Sequence, residues 1–256
     1  MQHDAEILDQ FTRQAEPFLQ RHAHSNSDLL QLMADCAGVR PEDTVLDIAC
    51  GPGIVSCFFA GRAAHVTGLD IVPAMLERAQ RLQTERQLEN IDWKIGQSTA
   101  LPFANDSFDR VVTRFSFHHY LEPAAAIAEM KRVCKPGGTV LVADVAPREE
   151  TQDRFNHWEI LRDPSHTRAL TQTELEALGE EAGLQLLRQA SFRLATDLED
   201  LLASSFPRPG DADKIRALFE EDIQAHTDHL GVSARREEGL VKLTYPLAVL
   251  AWQKQI

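Results

Sequence analysis

The chain has 256 residues, 43% of them hydrophobic and 25% charged, and a formal net charge of −13, which suits one α/β domain with a substantial core. No apolar run approaches the roughly 20 residues of a membrane span, and a negative balance without a basic cluster argues against phosphate-backbone binding, so neither a membrane nor nucleic acid is an expected partner. The stretch from Met1 to Glu6 is acidic and lacks an apolar segment of secretory type, which gives a cytoplasmic expectation. Cys36, Cys50, Cys57 and Cys134 show neither paired spacing nor a histidine partner set, so buried free thiols are expected rather than a metal site or disulfides.

From Ala5 to Ala15, Ile7, Leu8, Phe11 and Ala15 fall at helical spacing, and Pro17 interrupts the pattern before Phe18 and Leu19. This predicts a short amphipathic helix, either capping the sheet edge or covering a ligand as a lid over residues 1–22. A second helix is expected from Ser25 to Ala37, apolar at Leu29, Leu30, Leu32 and Met33 and stopped by Gly38. Thr44 to Ile48 then reads as a strand containing Asp47, followed by Ala49, the turn from Gly51 to Gly53, and a helix over Ile54 to Ala60. Glycines at such a turn permit positive φ and close approach of a ligand to the main chain, and the helix N-terminus beyond offers unpaired N–H groups. The turn has Ser56 where a dinucleotide fingerprint has its third glycine, and glycine turns also serve plain packing. Val66 to Asp70 is a second strand ending in an acid about 20 positions past the glycines, the place from which a carboxylate accepts ribose hydroxyls.

Pro73, Met75, Leu76, Ala79 and Leu82 predict a helix to about Gln87, followed by a strand over Ile91 to Ile95 and the loop Gly96-Gln97-Ser98. Phe108 to Thr113 is a fourth strand, with Arg114, His118 and His119 directly after it, where an open α/β sheet borders its ligand crevice. Pro123 opens a helix ended by Pro136-Gly137-Gly138, and Thr139 to Val145 is an apolar fifth strand interrupted by Asp144. Asp153 to Arg162 is helical, and Thr171-x-x-Glu174 is a capping box opening a helix closed by Gly183. Residues 197–238 carry Leu201, Leu202, Ile215, Leu218, Phe219 and Ile223, suggesting two helices that form a substrate lid or a homodimer surface. Strand–helix alternation at this rhythm means a parallel, doubly wound sheet.

Taken together, Asp47-x-x-x-Gly51-x-Gly53, Asp70, Leu101-Pro102-Phe103 with Ser107-Phe108-Asp109, His118-His119 and Lys135-Pro136-Gly137-Gly138 resemble the motifs of class I S-adenosylmethionine-dependent methyltransferases, specifically over about residues 40–146. The resemblance implies a Rossmann-like α/β sheet of seven strands, mostly parallel with an antiparallel last strand, the last two drawn from Leu184 to Leu194 and Leu243 to Gln253. It implies a single domain over 1–256, with an N-terminal helical lid at 1–38, a donor-binding core at 40–146 and acceptor-side helices and strands at 147–256. S-adenosyl-L-methionine is the implied cofactor, held by Asp47, Ala49, Gly51, Gly53, Asp70, Ile71, Gln97, Ser98 and Arg114. Gln97 stands where the family usually carries an aspartate for the adenine amino group, and its carbonyl accepts the same bond without charge.

The implied reaction is methyl transfer to an O, N or C atom of a small metabolite, natural product or quinone precursor, as in the ubiquinone and menaquinone methyltransferases. His118 and His119 are candidate general bases, against the reading that both hydrogen-bond the loop backbone. Trp158, Arg162 and His166 form a second cluster, either a structural ion pair or part of an acceptor pocket. A nicotinamide-dependent oxidoreductase would share the βαβ unit but not the missing third glycine or the downstream motifs, and a non-catalytic binding protein on the same scaffold also stays open.

Overall fold

The computed structural model describes residues 2–20 and 26–255. Residues 1, 21 and 22 of the expected lid lie outside these, as does Ser25, the expected start of the second helix. Helix α1 spans Gln2–Gln20, continuing through Pro17 instead of breaking there. A proline removes only one rung of the ladder, here the bond to the Arg13 carbonyl, and its own φ is helical. Helix α2 spans Ser27–Ala37, capped by the Asn26 side chain at one end and by Gly38 at φ 60° at the other.

Strands β1 (Thr44–Ile48), β2 (His65–Asp70), β3 (Ile91–Ile95), β4 (Phe108–Arg114) and β5 (Cys134–Val145) are parallel, crossing over through α3 (Ile54–Ala60), α4 (Pro73–Glu85) and α5 (Pro123–Val133). Strand β5 begins at Cys134, earlier than the Pro-Gly-Gly stop suggests, because Cys134 pairs with Phe108 ahead of a register shift. Beyond it lie α6 (Gln152–Arg162), α7 (Gln172–Glu181), β6 (Leu184–Asp197), α8 (Leu198–Ala203), α9 (Asp211–Gln224), β7 (Arg235–Glu237) and β8 (Leu240–Lys254).

The sheet order is β3-β2-β1-β4-β5-β8-β6, with β8 antiparallel between β5 and β6. Among the described residues eight strands are present rather than seven. The additional one, β7, pairs with the start of β8 across Glu238 and Gly239, at φ 49° and 82°, the paired left-handed residues of a tight hairpin turn.

Period-two alternation sends the strand residues to two cores. Val45, Val112 and Leu141 face α2 and α3 with Leu29, Met33 and Phe59, while Leu46, Val111, Val140 and Val142 face α5 and α7 with Ile127, Met130 and Leu175. Gly179 of α7 lies against Trp252 of β8, and a Cβ there would stand 2.3 Å from the indole, so only glycine lets this helix approach the sheet. Leu201, Leu202, Ile215 and Phe219 are buried in the first core beside Trp158. These residues of α8 and α9 thus pack into the chain's own interior. Among the described residues no helix is long and apolar enough to cross a membrane. All four cysteines are buried and free.

Candidate active site

The chain reverses its direction of travel across the sheet at β1, whose neighbours are β2 and β4, and in such sheets the crevice opens beyond the carboxyl ends of the strands at that point. Ala49, Gly51 and Gly53 all take positive φ, 52°, 52° and 80°. The Cys50 amide donates to the Leu69 carbonyl at 3.0 Å, and the Gly51 amide to Asp70 Oδ2 at 2.8 Å. Asp70 Oδ1 accepts from the Val72 amide at 2.9 Å. One carboxylate therefore fastens the glycine turn to the loop after β2.

The two glycines do different work. A Cβ on Gly51 would meet nothing within 4 Å, so that position opens to a ligand. A Cβ on Gly53 would lie 2.7 Å from Trp93 and 2.9 Å from Ala79. Gly53 does not line the cavity and is needed for packing. Ser56, at the third glycine position, is fully buried and donates to Asp47 Oδ2 at 2.6 Å.

Above the turn is a cavity of about 330 Å³, lined by Asp47, Ala49, Gly51, Asp70, Ile71, Gln97, Ser98 and Arg114, with His119 and α1 residues Ile7 and Phe11 closing it. All the sequence-predicted cofactor residues except Gly53 meet here. Burial pushes the Asp47 carboxyl up to about 7, despite the Ser56 hydroxyl and the Arg114 charge, and pushes Asp70 up to about 6, despite the Val72 and Gly51 amides. Burial also lowers Arg114 to about 10, with Asp47 opposing it. Arg114 Nη1 is buried with no hydrogen-bond partner. An unmet buried donor costs about 1–3 kcal/mol, more when charged, so it marks a place for an acceptor group.

After β4, Phe115 sits at φ 55°, a left-handed conformation that bulky residues avoid, and its amide is held by the Ala143 carbonyl at 2.9 Å. A 3-10 turn follows over Phe117–His119. Asp144, at the end of β5, organises it: Oδ2 accepts the Ser116 and Phe117 amides at 3.0 and 2.6 Å, and Oδ1 accepts the Val145 amide at 2.7 Å and faces His118 Nδ1 at 2.6 Å. Burial alone would push this carboxyl up and this imidazole down. Their mutual attraction and hydrogen bond, with the backbone donors to Asp144, outweigh it, so Asp144 lies below the usual carboxylate value and His118 above the usual imidazole value. Asp144 was visible in the sequence only as a break in an apolar strand.

His119 Nδ1 donates to the Ser165 carbonyl at 2.9 Å, which leaves Nε2 as the basic nitrogen. Burial and the neighbouring His118 lower its pKa to about 4. His166 completes a cluster of rings, 5.5 Å from His118 and 6.4 Å from His119 between centroids. Its Nε2 meets Asn156 Oδ1 at 2.7 Å, while Nδ1 is buried without a partner. No group of three or more histidine, cysteine, aspartate or glutamate side chains among the described residues is placed to hold a metal ion.

His118 does not line the first cavity. It borders a second one, of about 90 Å³, which shares Phe11, Phe115 and His119 with the first. Arg162 also borders this second cavity, in a buried ion pair with Glu159 (Nη2–Oε2 2.6 Å), and Tyr245 donates to Glu159 Oε1 at 2.6 Å. Trp158 belongs instead to the core, packed on Phe155 and Phe219.

Comparison with known proteins agrees with this architecture. Residues 46–142 match the methyltransferase domain family model. The chain is 34% identical over 170 residues to the uncharacterized methyltransferase YcgJ of Bacillus subtilis (strain 168), covering 66% of this chain and 67% of that protein. The YcgJ crystal structure superposes with a TM-score of 0.81 at 25% identity, covering 92% of this chain and all of that one. Protein BH2331 of Bacillus halodurans C-125 has the same fold, with a TM-score of 0.82 at 23% identity, 90% of this chain and all of that one being covered. A demethylmenaquinone methyltransferase of Renibacterium salmoninarum is 40% identical over 114 residues, so the chain spans just under half of that relative, 44% of its own length against 46% of the other.

The buried carboxyls give a test of the site's electrostatics. Both pKa values are raised above the unfolded value of about 3.9, so the stability they contribute is complete below about pH 4 and is lost as pH rises through about 6 for Asp70 and about 7 for Asp47. Asp47→Asn keeps an acceptor for Ser56 but has no charge to bury. Its melting temperature should rise relative to wild type as pH increases from about 5 to about 8. Parallel melting curves against pH for the two proteins would contradict this picture of Asp47.

Proposed function

Because the chain belongs to the methyltransferase domain family, we propose that its larger cavity binds S-adenosylmethionine and that the methyl group goes to an O, N or C atom of a small metabolite, natural product or quinone precursor. The observation that carries the donor reading is the unpartnered Nη1 of Arg114 in the same cavity wall as Asp47. A guanidinium with an unmet donor suits an amino acid's carboxylate, and Asp47 suits its ammonium group. Gly51, where no side chain intrudes, lets that end approach the main chain.

Asp70 uses one lone pair of each oxygen on Gly51 and Val72, and a carboxylate has about four such sites, so its remaining capacity serves ribose hydroxyls. Gln97 and Ser98, beside Ile71 at the cavity rim, offer an amide carbonyl and a hydroxyl to the adenine edge. When bound, the donor supplies an electrophilic methyl group on a sulfonium. The protein's remaining tasks are alignment, exclusion of water and handling of the acceptor's proton. Ile7 and Phe11 of α1 pack against the cluster of Val72 and Met75 and line the cavity, which supports α1 acting as its lid. His118 takes the acceptor proton, because its Asp144 partner stabilises the imidazolium form, and His119 serves as a neutral wall between the two cavities.

Asp70→Ala should weaken binding of S-adenosylhomocysteine by about 1.5–3 kcal/mol in calorimetry, the worth of charge-assisted hydrogen bonds. Undiminished affinity, or preferential binding of NAD by the wild type, overturns the donor assignment. Hydrogen exchange of residues 2–20 should slow on addition of the same ligand; unchanged protection leaves α1 a purely structural role. His118→Ala should lower kcat about 10²–10⁴-fold with donor affinity and melting temperature nearly kept. Wild-type turnover in this variant would mean that alignment and desolvation alone drive transfer.

A further inference from the structure

Resting on the methyl-transfer reading above, we propose that the 90 Å³ cavity behind Phe115 is the acceptor subsite, and that it selects a compact, uncharged hydroxyl or amine of single-ring size or smaller while rejecting carboxylates and phosphates.

The position follows from shared walls. Phe11, Phe115 and His119 line both cavities, so a group seated in the smaller one meets the larger one only at this partition. The partition is built at a strained residue: Phe115 holds φ 55° between Arg114, which lines the donor side, and the turn that carries His118, which lines the other side. Methyl transfer needs donor and acceptor in line and close, and this junction is where the two spaces come together. His118, backed by Asp144, faces the smaller cavity alone, the correct side for receiving the acceptor's proton.

The size limit follows from the volume. An apolar cavity of about 150 Å³ holds benzene, so 90 Å³ takes a functional group and part of a ring, with the rest at the partition. A bicyclic reacting end exceeds this enclosed volume.

The charge rule follows from what surrounds Arg162, the one lysine or arginine that lines this cavity among the described residues. Its Nε and Nη2 donate to Glu159 Oε2 at 3.0 and 2.6 Å, and Nη1 donates to Ser205 Oγ at 3.0 Å with Asp163 Oδ2 3.9 Å away. Glu159 and Asp163 border the cavity, and Asp144 lies behind His118. Two carboxylates thus line the space against one guanidinium that is already paired, while Asp144 and His118 form a further pair whose charges offset each other. A further anion entering this buried site would lose its hydration and meet net repulsion. A neutral acceptor meets the apolar walls of Val145, Leu194 and Leu247 and an imidazole able to accept its O–H or N–H.

Phenol and benzoate, which share a ring and differ in charge, make the test. Each is titrated calorimetrically into the full chain at pH 7, with and without saturating S-adenosylhomocysteine, whose own affinity is read in the same experiment. Phenol should bind the wild type at least about tenfold more tightly than benzoate. Glu159→Gln, which frees the guanidinium but keeps an acceptor for Tyr245, should tighten benzoate at least about tenfold and change phenol little. Thr196→Phe, placed on the wall of the smaller cavity only, should weaken phenol at least about tenfold while S-adenosylhomocysteine affinity stays unchanged. Benzoate binding as tightly as phenol, or phenol binding undisturbed by Thr196→Phe, overturns the subsite. Failure of S-adenosylhomocysteine to bind overturns the donor reading instead, and the phenol–benzoate order without it still judges the cavity. If Glu159→Gln does not fold, the wild-type order and the Thr196→Phe result decide.

Discussion

The reversal of strand order on either side of β1 is the constraint on which the site depends. At that point the crossovers leave in opposite directions, so no crossover helix covers the carboxyl end of β1, and the loops after β1, β2 and β4 converge over a gap. The gap requires two fastenings to keep its shape. Asp70 draws the Gly51 amide to the loop after β2, and Asp144 gathers the Ser116 and Phe117 amides after β4. Each is a carboxylate at a strand end accepting backbone N–H groups that no strand partner reaches.

These fastenings also set the electrostatics. Asp47, Asp70 and Arg114 are removed from water with incomplete pairing, and burial moves all three toward neutrality. Asp144 and His118 are equally buried but paired at 2.6 Å, and their attraction overrides the same burial. The contrast separates groups whose hydrogen bonds are completed inside the chain from groups that still lack them. The incomplete set faces the larger cavity, where a zwitterionic ligand would complete it.

Helix α1 and Phe115 together divide the interior. Phe11 of α1 packs edge-on against His119 at 5.0 Å and borders both cavities. Movement of α1 would open both spaces at once, which couples entry of one ligand to the enclosure of the other. The strain at Phe115 is held by the Ala143 carbonyl, so the partition is anchored in the sheet rather than in α1.

The parallel core, the glycine turn and the acid that ends β2 were legible in the sequence because their signals are local: strand alternation, a proline at a helix start, and an acid at a fixed distance from the glycines within one βαβ unit. What Gly53 does was not legible, since packing against Trp93 and opening to a ligand call for the same residue type. The continuation of α1 through Pro17, the short strand β7, and the inward packing of α8 and α9 depended on partners that local pattern does not name. The pairing of His118 with Asp144 joins residues 26 positions apart, and it exists because β4 and β5 align Arg114 with Ala143, so the residues just beyond each strand emerge side by side. The enclosure of Arg162 by Ser205 and by Glu159, which Tyr245 holds in turn, likewise draws on loop, helix and last strand at once. The sequence by itself determined the fold and the glycine turn, whose causes lie within a few residues of chain. Only the tertiary structure decided the surroundings of the smaller cavity, because charge pairing there is set by sheet register and helix packing between segments that sequence spacing leaves unrelated.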